Sequence, residues 1–296
     1  MKKQKISKLQ NDGKWAAILL APNIIGFLMF MLIPVIMTFV LSFTRYDIIN
    51  KPEFIGLENY IEMIKDPIIH QVTKNTILYS LMVVPIGMCV SLLLAVLLDQ
   101  NIKLKRFFRV AYFIPTITSM VVVAIVWQWI YNPEFGILNW FLSIFGIEGK
   151  QWLLDSKTAL PALALVGIWK NAGYNMIIFL SGLQGIPYSY YEAAMLDGAT
   201  KWQQFKSITL PLLMPTTFFV FVTSVISSFQ VFDQVMLMTN GGPGRSTSVL
   251  AHYLYQNAFK YFKMGYACTI AVLLFAIIMV LTIINMRAEK KMRDIF

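Results

Sequence analysis

Charge is what this sequence has least of. Of its 296 residues only 14% are charged, against 57% hydrophobic, and its mean hydropathy is +0.64. So little polar surface cannot cover a soluble globule, and a bilayer is the natural solvent. The two cysteines, Cys89 and Cys268, fall in apolar stretches with no spacing for zinc or a redox pair, where a free thiol behaves as a small hydrophobe. No soluble domain, low-complexity linker or repeat with a period of 20–50 residues interrupts the chain.

The uncharged intervals are long. No charged residue occurs in 15–44, 75–98, 110–133, 207–232 or 264–286, and 158–191 is broken only by Lys170. A helix needs about 20 apolar residues to cross the hydrocarbon, so six spans are expected. The first, from Trp15, is too long and too poorly followed by small residues for a cleaved signal peptide, and is kept in the mature protein.

Basic residues near span ends resist translocation. They cluster before the first span (Lys2, Lys3, Lys5, Lys8, Lys14), after the second (Lys103, Lys105, Arg106, Arg109) and after the sixth (Arg287, Lys290, Lys291, Arg293). This places both termini and the loops at 100–109 and 184–206 in the cytoplasm, with 45–74, 132–157 and 236–263 outside. The expected division is a basic cytoplasmic N-terminus at 1–14, a transmembrane domain at 15–286 with a cytoplasmic loop at 184–211, and a cytoplasmic C-terminus at 287–296. The net charge of +10 is accounted for by these juxtamembrane clusters, so no nucleic-acid partner is expected, only membrane lipid.

Outside, the apolar residues Trp140, Phe141, Ile144 and Phe145 suggest a short interfacial helix. Trp127, Trp129, Tyr131, Trp152, Tyr261 and Phe262 stand at span ends, where aromatic anchors collect, with Trp127 and Trp129 singled out for a further role.

The inner loop reads GLQGIPYSYYEAAMLDGATKWQQFKSITLPLLMPT. Pro187 ends the membrane helix, Ser189 with Glu192 has the spacing of a capping box, Asp197-Gly198 turns the chain, Thr200 with Gln203 repeats the box, and Pro211 marks re-entry. Taken singly, Glu192 need only cap and Gly198 need only turn.

As a whole the string resembles the EAA loop of permease subunits of binding-protein-dependent ABC importers. The family pattern is Glu-Ala-Ala, three residues, Gly, nine residues, then Ile-x-Leu-Pro, and Glu192, Ala193, Ala194, Gly198, Ile208, Leu210 and Pro211 fill it. The resemblance implies an all-α polytopic membrane protein of six transmembrane helices with the type I importer permease fold. It also implies that 189–206 is a coupling helix seated in a separate ATPase subunit, with Glu192 pairing a basic residue there.

Implied partners are a second homologous permease, two ATPase subunits and an extracytoplasmic substrate-binding protein. No cofactor is expected on this chain, ATP and magnesium belonging to the ATPase. Residues 236–267, with Asn240, Gly241, Gly242, Pro243, Tyr253, Ala258 and Phe259, resemble the carbohydrate branch of maltose, lactose and glycerol-3-phosphate permeases, although 45–74 is too short for the maltose permease's external insert. GGPGRST is not a phosphate loop: it lacks the lysine and its first glycine is misplaced. The chain is therefore expected to be a transport subunit and not an enzyme.

Sugars are held by hydrogen bonds and aromatic faces, so polar and aromatic residues inside spans are the candidates. In the fifth span Ser224, Ser228 and Val231 share a helical face with Ser227, Phe229, Gln230 and Phe232 beside it; in the fourth, Trp169, Lys170, Asn171, Tyr174 and Asn175 cluster. The positions that contact sugar in maltose-type permeases align with Asn171, Tyr174, Ser224 and Ser228. The plain alternative is that serines ease helix packing and asparagines bond across helices. Lys170 costs about 2.5–3.5 kcal/mol at a helix centre on insertion scales, so it should face a cavity or a partner, and Asp233 either pairs with it or faces water.

The expected function is ATP-driven import of a sugar, an oligosaccharide by preference, through the plasma membrane of a prokaryote by alternating access. The alternatives are import of glycerol-3-phosphate or an anionic sugar and, from a different class, an ion-coupled secondary transporter or a structural subunit. The near absence of carboxylates inside the spans argues against ion coupling.

Overall fold

The computed structural model describes residues 2–100 and 102–293, with side chains from Trp15 to Ala288's predecessor Arg287 and at Lys290. The basic side chains of Lys2, Lys3, Lys5, Lys8, Lys14, Lys291 and Arg293 lie outside that description.

In chain order the elements begin with α1 (Lys2–Phe27), a π-helical turn at Leu28–Leu32, α2 (Ile33–Leu41), β1 (Thr44–Arg45), β2 (Glu53–Phe54) and α3 (Glu58–Lys65). They continue with α4 (Pro67–Asp99), α5 (Lys105–Ile117), α6 (Met120–Ile130), α7 (Ile137–Ile144), α8 (Ala159–Gln184), α9 (Ser189–Leu196) and α10 (Lys201–Gln204). After a π turn at Phe205–Thr209 come α11 (Leu210–Leu212), α12 (Met214–Phe229), α13 (Asp233–Met238) and α14 (Leu250–Tyr255), then a π turn at Gln256–Lys260 and α15 (Met264–Arg293).

Four helices are long and apolar enough to cross a membrane: Trp15–Leu41, α4, α8 and α15 as far as Arg287. The third and fifth spans are bent pairs, α5 with α6 at 101° and Lys201–Leu212 with α12 at 64°. The six expected spans are thus met, among the described residues, if each bent pair crosses the membrane as one broken span. Proline is the cause in both. Pro115 sits in the last turn of α5, after which Thr118 and Ser119 turn extended, and Pro211 and Pro215 flank the bend at Leu213.

The chain forms two compact units. In one, made of the residues up to Lys65 with Gln256–Leu273, β1 and β2 pair antiparallel, Thr44 opposite Phe54. Asn59 ties the hairpin by donating to the carbonyls of Ser42 and Thr44, both at 2.9 Å, and Thr269 donates to Ser42 at 3.1 Å. Arg45 pairs with Glu53 and Glu58, and Lys263 with Glu62, all exposed. The backbone N–H of Asn50, and then its side chain, hold the Asp47 carboxyl below the usual carboxylate range. The Trp15–Leu41 span leaves most of its side chains exposed, as a lipid-facing helix must.

The other unit, Asp66–Tyr255 with the residues from Leu274 on, is built around α8. Asp66 caps α4 by accepting from the Ile68 N–H at 2.8 Å, with Pro67 in the first turn, so the second helix starts earlier than its uncharged interval. Glycines let neighbours close on α8: a Cβ at Gly173 would run into the backbone of α5 at Tyr112, and one at Gly167 into the Tyr79 hydroxyl.

The aromatic residues at span ends divide. Trp129, Tyr261 and Phe262 are exposed, but Trp127, Tyr131 and Trp152 pack together, with Tyr131 2% exposed and its hydroxyl donating to the Ala162 carbonyl at 2.9 Å. Tyr131 is a core residue and Trp152 is half-buried against it, a correction to the anchor reading for these two, while Trp127, set apart by expectation, packs half-buried on the same core. Residues 137–144 are helical as expected, and Trp140, Phe141, Ile144 and Phe145 are all exposed.

Candidate functional site

A cavity of about 240 Å³ opens between α4, α8, α12 and the turn before α13. Its wall contains Asn171, Tyr174, Ser224, Ser228, Phe232, Asp233 and Lys170, so the fold brings these candidates to one place, while Trp169 and Phe229 do not line it. Their polar atoms differ in availability. Tyr174 is 48% exposed. Asn171 donates to its own helix at Gly167, 3.0 Å away, and Asn175 donates to Ser224 at 3.2 Å.

Ser228 is 3% exposed, with its hydroxyl bonded to Ser80 at 2.7 Å and to the Val225 carbonyl at 2.9 Å. Its polar group is spent in helix packing, whereas Ser227, a packing residue by expectation, lines the cavity with no hydrogen-bond partner among the described residues. The shared face of Ser224, Ser228 and Val231 ends sooner than periodicity suggests, because α12 stops at Phe229 and Val231 stands in the turn. Phe232 lies against Tyr255 with ring centroids 5.0 Å apart, and Asp233 is exposed at the start of α13.

Lys170 reaches the wall but makes no ion pair with Asp233. Its Nζ donates to the carbonyls of Thr118 at 2.6 Å, Pro115 at 3.1 Å and Thr116 at 3.4 Å. Sequence reading missed the contribution of α4. Tyr79 lines the cavity and donates to Gln234 Oε1 at 3.1 Å, while Gln234 donates to the Leu163 carbonyl. The signal was there: Asn75, Thr76, Tyr79 and Ser80 recur at helical spacing within an apolar span.

The segment joining the fourth and fifth spans is a second, separate candidate. Gly185 closes α8, and Pro187 follows. Thr200 and Gln203 form the expected capping box, and Gly198 takes the left-handed conformation at φ +75°. The box at Ser189 does not form: Tyr188 is already helical and its carbonyl takes the Glu192 N–H at 3.1 Å, so the Ser189 hydroxyl has no orphan donor to accept from. Glu192 is exposed and makes no ion pair among the described residues. Ala193 is exposed and Ala194 half-buried. Leu196 is 90% exposed and Trp202 69%, beside Tyr188, Tyr190 and Met195.

Helices of spanning length, a cavity lined by both polar and apolar groups, and an exposed apolar projection between two spans define a polytopic membrane protein. Comparison with known proteins makes this specific. Residues 73–294 match the model of the family described as binding-protein-dependent transport system inner membrane component, and the chain belongs to that family. It is a transport component of the membrane, not an enzyme.

It is 36% identical to the sulfoquinovosyl glycerol transport system permease protein SmoG of Agrobacterium fabrum (strain C58), over 93% of this chain and 90% of that one. It is 34% identical to the arabinooligosaccharides transport system permease protein AraP of Bacillus subtilis (strain 168), over 90% and 86%. Its fold matches a subunit of a bacterial ABC transporter involved in the import of the acidic polysaccharide alginate, with a TM-score of 0.85 at 24% identity, covering 97% of this chain and 99% of that one.

Proposed function

We propose that this chain is the permease subunit through which an ATP-driven importer carries a carbohydrate, an oligosaccharide by preference, across the plasma membrane by alternating access. The carrying observation is the cavity. Amide and hydroxyl groups from α8 and α12 meet an exposed Tyr174 ring there, which is the chemistry a sugar needs, and relatives sharing a third of the sequence are named for glycoside and oligosaccharide transport. Asn171, Tyr174 and Ser224 contact the substrate in this reading, with Ser227 beside them and Phe232 and Asp233 at the rim.

The assembly would comprise a homologous second permease, two ATPase subunits holding ATP and magnesium, and an extracytoplasmic binding protein. Both termini and 184–211 would be cytoplasmic, with 1–14 and 287–296 flanking the transmembrane domain at 15–286. Glu192, Ala193, Ala194 and Gly198 would form the joint with the ATPase. The exposed Leu196 and Trp202 support this, since a partner cleft would bury surface that water now meets. ATPase closure would then drive rigid-body rocking of the spans.

The test is reconstitution with the copurifying partners and assay of ATP hydrolysis against a panel of neutral and anionic oligosaccharides and glycerol-3-phosphate. Stimulation by a neutral oligosaccharide with the binding protein is expected. Stimulation by glycerol-3-phosphate or an anionic sugar alone would favour the anionic alternative. Uptake that survives ATP depletion but collapses with the proton gradient would overturn the reading in favour of an ion-coupled carrier.

A further inference from the structure

The break in the third span ends one half-helix beside α8. The last carbonyls of α5 have no partner in their own helix, and such a terminus carries partial negative charge. In ion-coupled carriers, unwound carbonyls and half-helix C-termini of this kind coordinate sodium or protons. Here the position is filled from the fourth span. Lys170, near the middle of α8, places its Nζ at 2.6, 3.1 and 3.4 Å from the carbonyls of Thr118, Pro115 and Thr116. Three acceptors match the three N–H donors of an ammonium, whereas a neutral amine has only two. In return the Thr116 hydroxyl donates to the Lys170 carbonyl at 3.0 Å.

We infer that Lys170 is a tethered cation occupying a carbonyl site that would otherwise attract a free monovalent cation, and that it thereby fixes the half-helix α5 to α8, the helix that lines the cavity. This is a positioning role rather than contact with substrate. The close backbone approach at Gly173 and Tyr112, one turn further along α8, gives the same two helices a second point of fixation. The inference rests on the geometry of α5 and α8 and holds whatever the cargo is.

It is tested on the whole transporter, purified with its copurifying subunits as wild type, Lys170→Ala, Lys170→Gln and Lys170→Arg. The melting midpoint and basal ATP hydrolysis are measured in choline, potassium and ethylammonium chlorides at equal ionic strength. In choline, Lys170→Ala should melt about 5 °C below wild type, and ethylammonium should restore most of the difference with a saturable dose dependence, potassium restoring less. Wild type and Lys170→Arg should be indifferent to the salt exchanged.

Lys170→Gln fills similar space without charge, so it keeps the test decisive should the alanine variant not assemble; it should fall short of wild type where Lys170→Arg does not. Wild-type melting of either neutral variant in choline, or a deficit that choline and ethylammonium repair equally, would overturn the inference. A failure of sugar stimulation would leave these salt responses untouched, so the two readings fail separately.

Discussion

Two connecting segments of the second unit make opposite use of similar composition. Residues 131–158, between the third and fourth spans, hold their own shape. Asn139 donates to the carbonyls of Pro133 and Lys150, both at 3.0 Å, and its oxygen accepts from the Lys150 N–H at 3.1 Å and the Trp152 indole at 2.8 Å. Trp152 in turn packs on Tyr131. Residues 185–209, between the fourth and fifth spans, have short helices tied by Tyr191 to Thr209 at 2.9 Å and Gln204 to the Ala199 carbonyl at 3.2 Å, and leave Leu196 and Trp202 in the open. The first segment also exposes Trp140, Phe141 and Phe145, but its backbone is held by its own side chains. The second exposes its apolar residues on a segment with few ties of its own, a surface shaped for something else to cover.

The comparison breaks most sharply at Glu192. Glu192→Lys should abolish uptake and the stimulation of ATP hydrolysis by the binding protein while membrane insertion stays normal; uptake at the wild-type rate would remove the coupling assignment. Next in size, Leu196→Asp should weaken retention of the ATPase subunits on purification roughly thirty-fold, the consequence of losing a contact worth about 2 kcal/mol at an interface centre. Full retention would show that this face is not covered.

Asn139→Ala is the matching change in the other segment. Leaving carbonyls and the Trp152 N–H unpaired should cost about 1–3 kcal/mol, read as faster proteolysis within 133–152 while the ATPase subunits remain bound. If it released the ATPase instead, the contrast between the two segments would be false.

Two changes in the cavity sharpen the contrast further, since neither should alter loop proteolysis or ATPase retention. Tyr174→Ala should raise the KM for transport about five-fold, with basal ATP hydrolysis unchanged, for loss of an aromatic contact worth about 1 kcal/mol. Ser228→Ala should lower stability by only about 0.6 kcal/mol, the usual worth of a hydrogen bond between membrane helices, and leave KM alone. A KM effect at Ser228 equal to that at Tyr174 would mean that its hydroxyl turns from Ser80 to meet the substrate.

The spans and the motif from Glu192 to Pro211 were legible in the sequence because each rests on local chemistry. Transfer of a charged residue into hydrocarbon is costly wherever the helix packs, so uncharged intervals mark spans, and the spacing from Glu192 to Pro211 is a property of one segment. The cavity residues on α8 and α12 were found in the same way, as polar groups in apolar runs. Their roles were not legible. Ser224 and Ser228 are the same residue type one helical turn apart, yet Ser228 is saturated by Ser80 from α4, 148 positions away in sequence.

Lys170 shows the division most plainly. The sequence by itself determined that an ammonium within an apolar span must find compensation, since apolar surroundings cannot hold it unpaired. Only the tertiary structure decided that the compensation is the open end of a proline-broken helix and not Asp233. Backbone carbonyls are the same at every position and carry no sequence signal; they become a site only where folding bends the chain and brings a lysine to meet them.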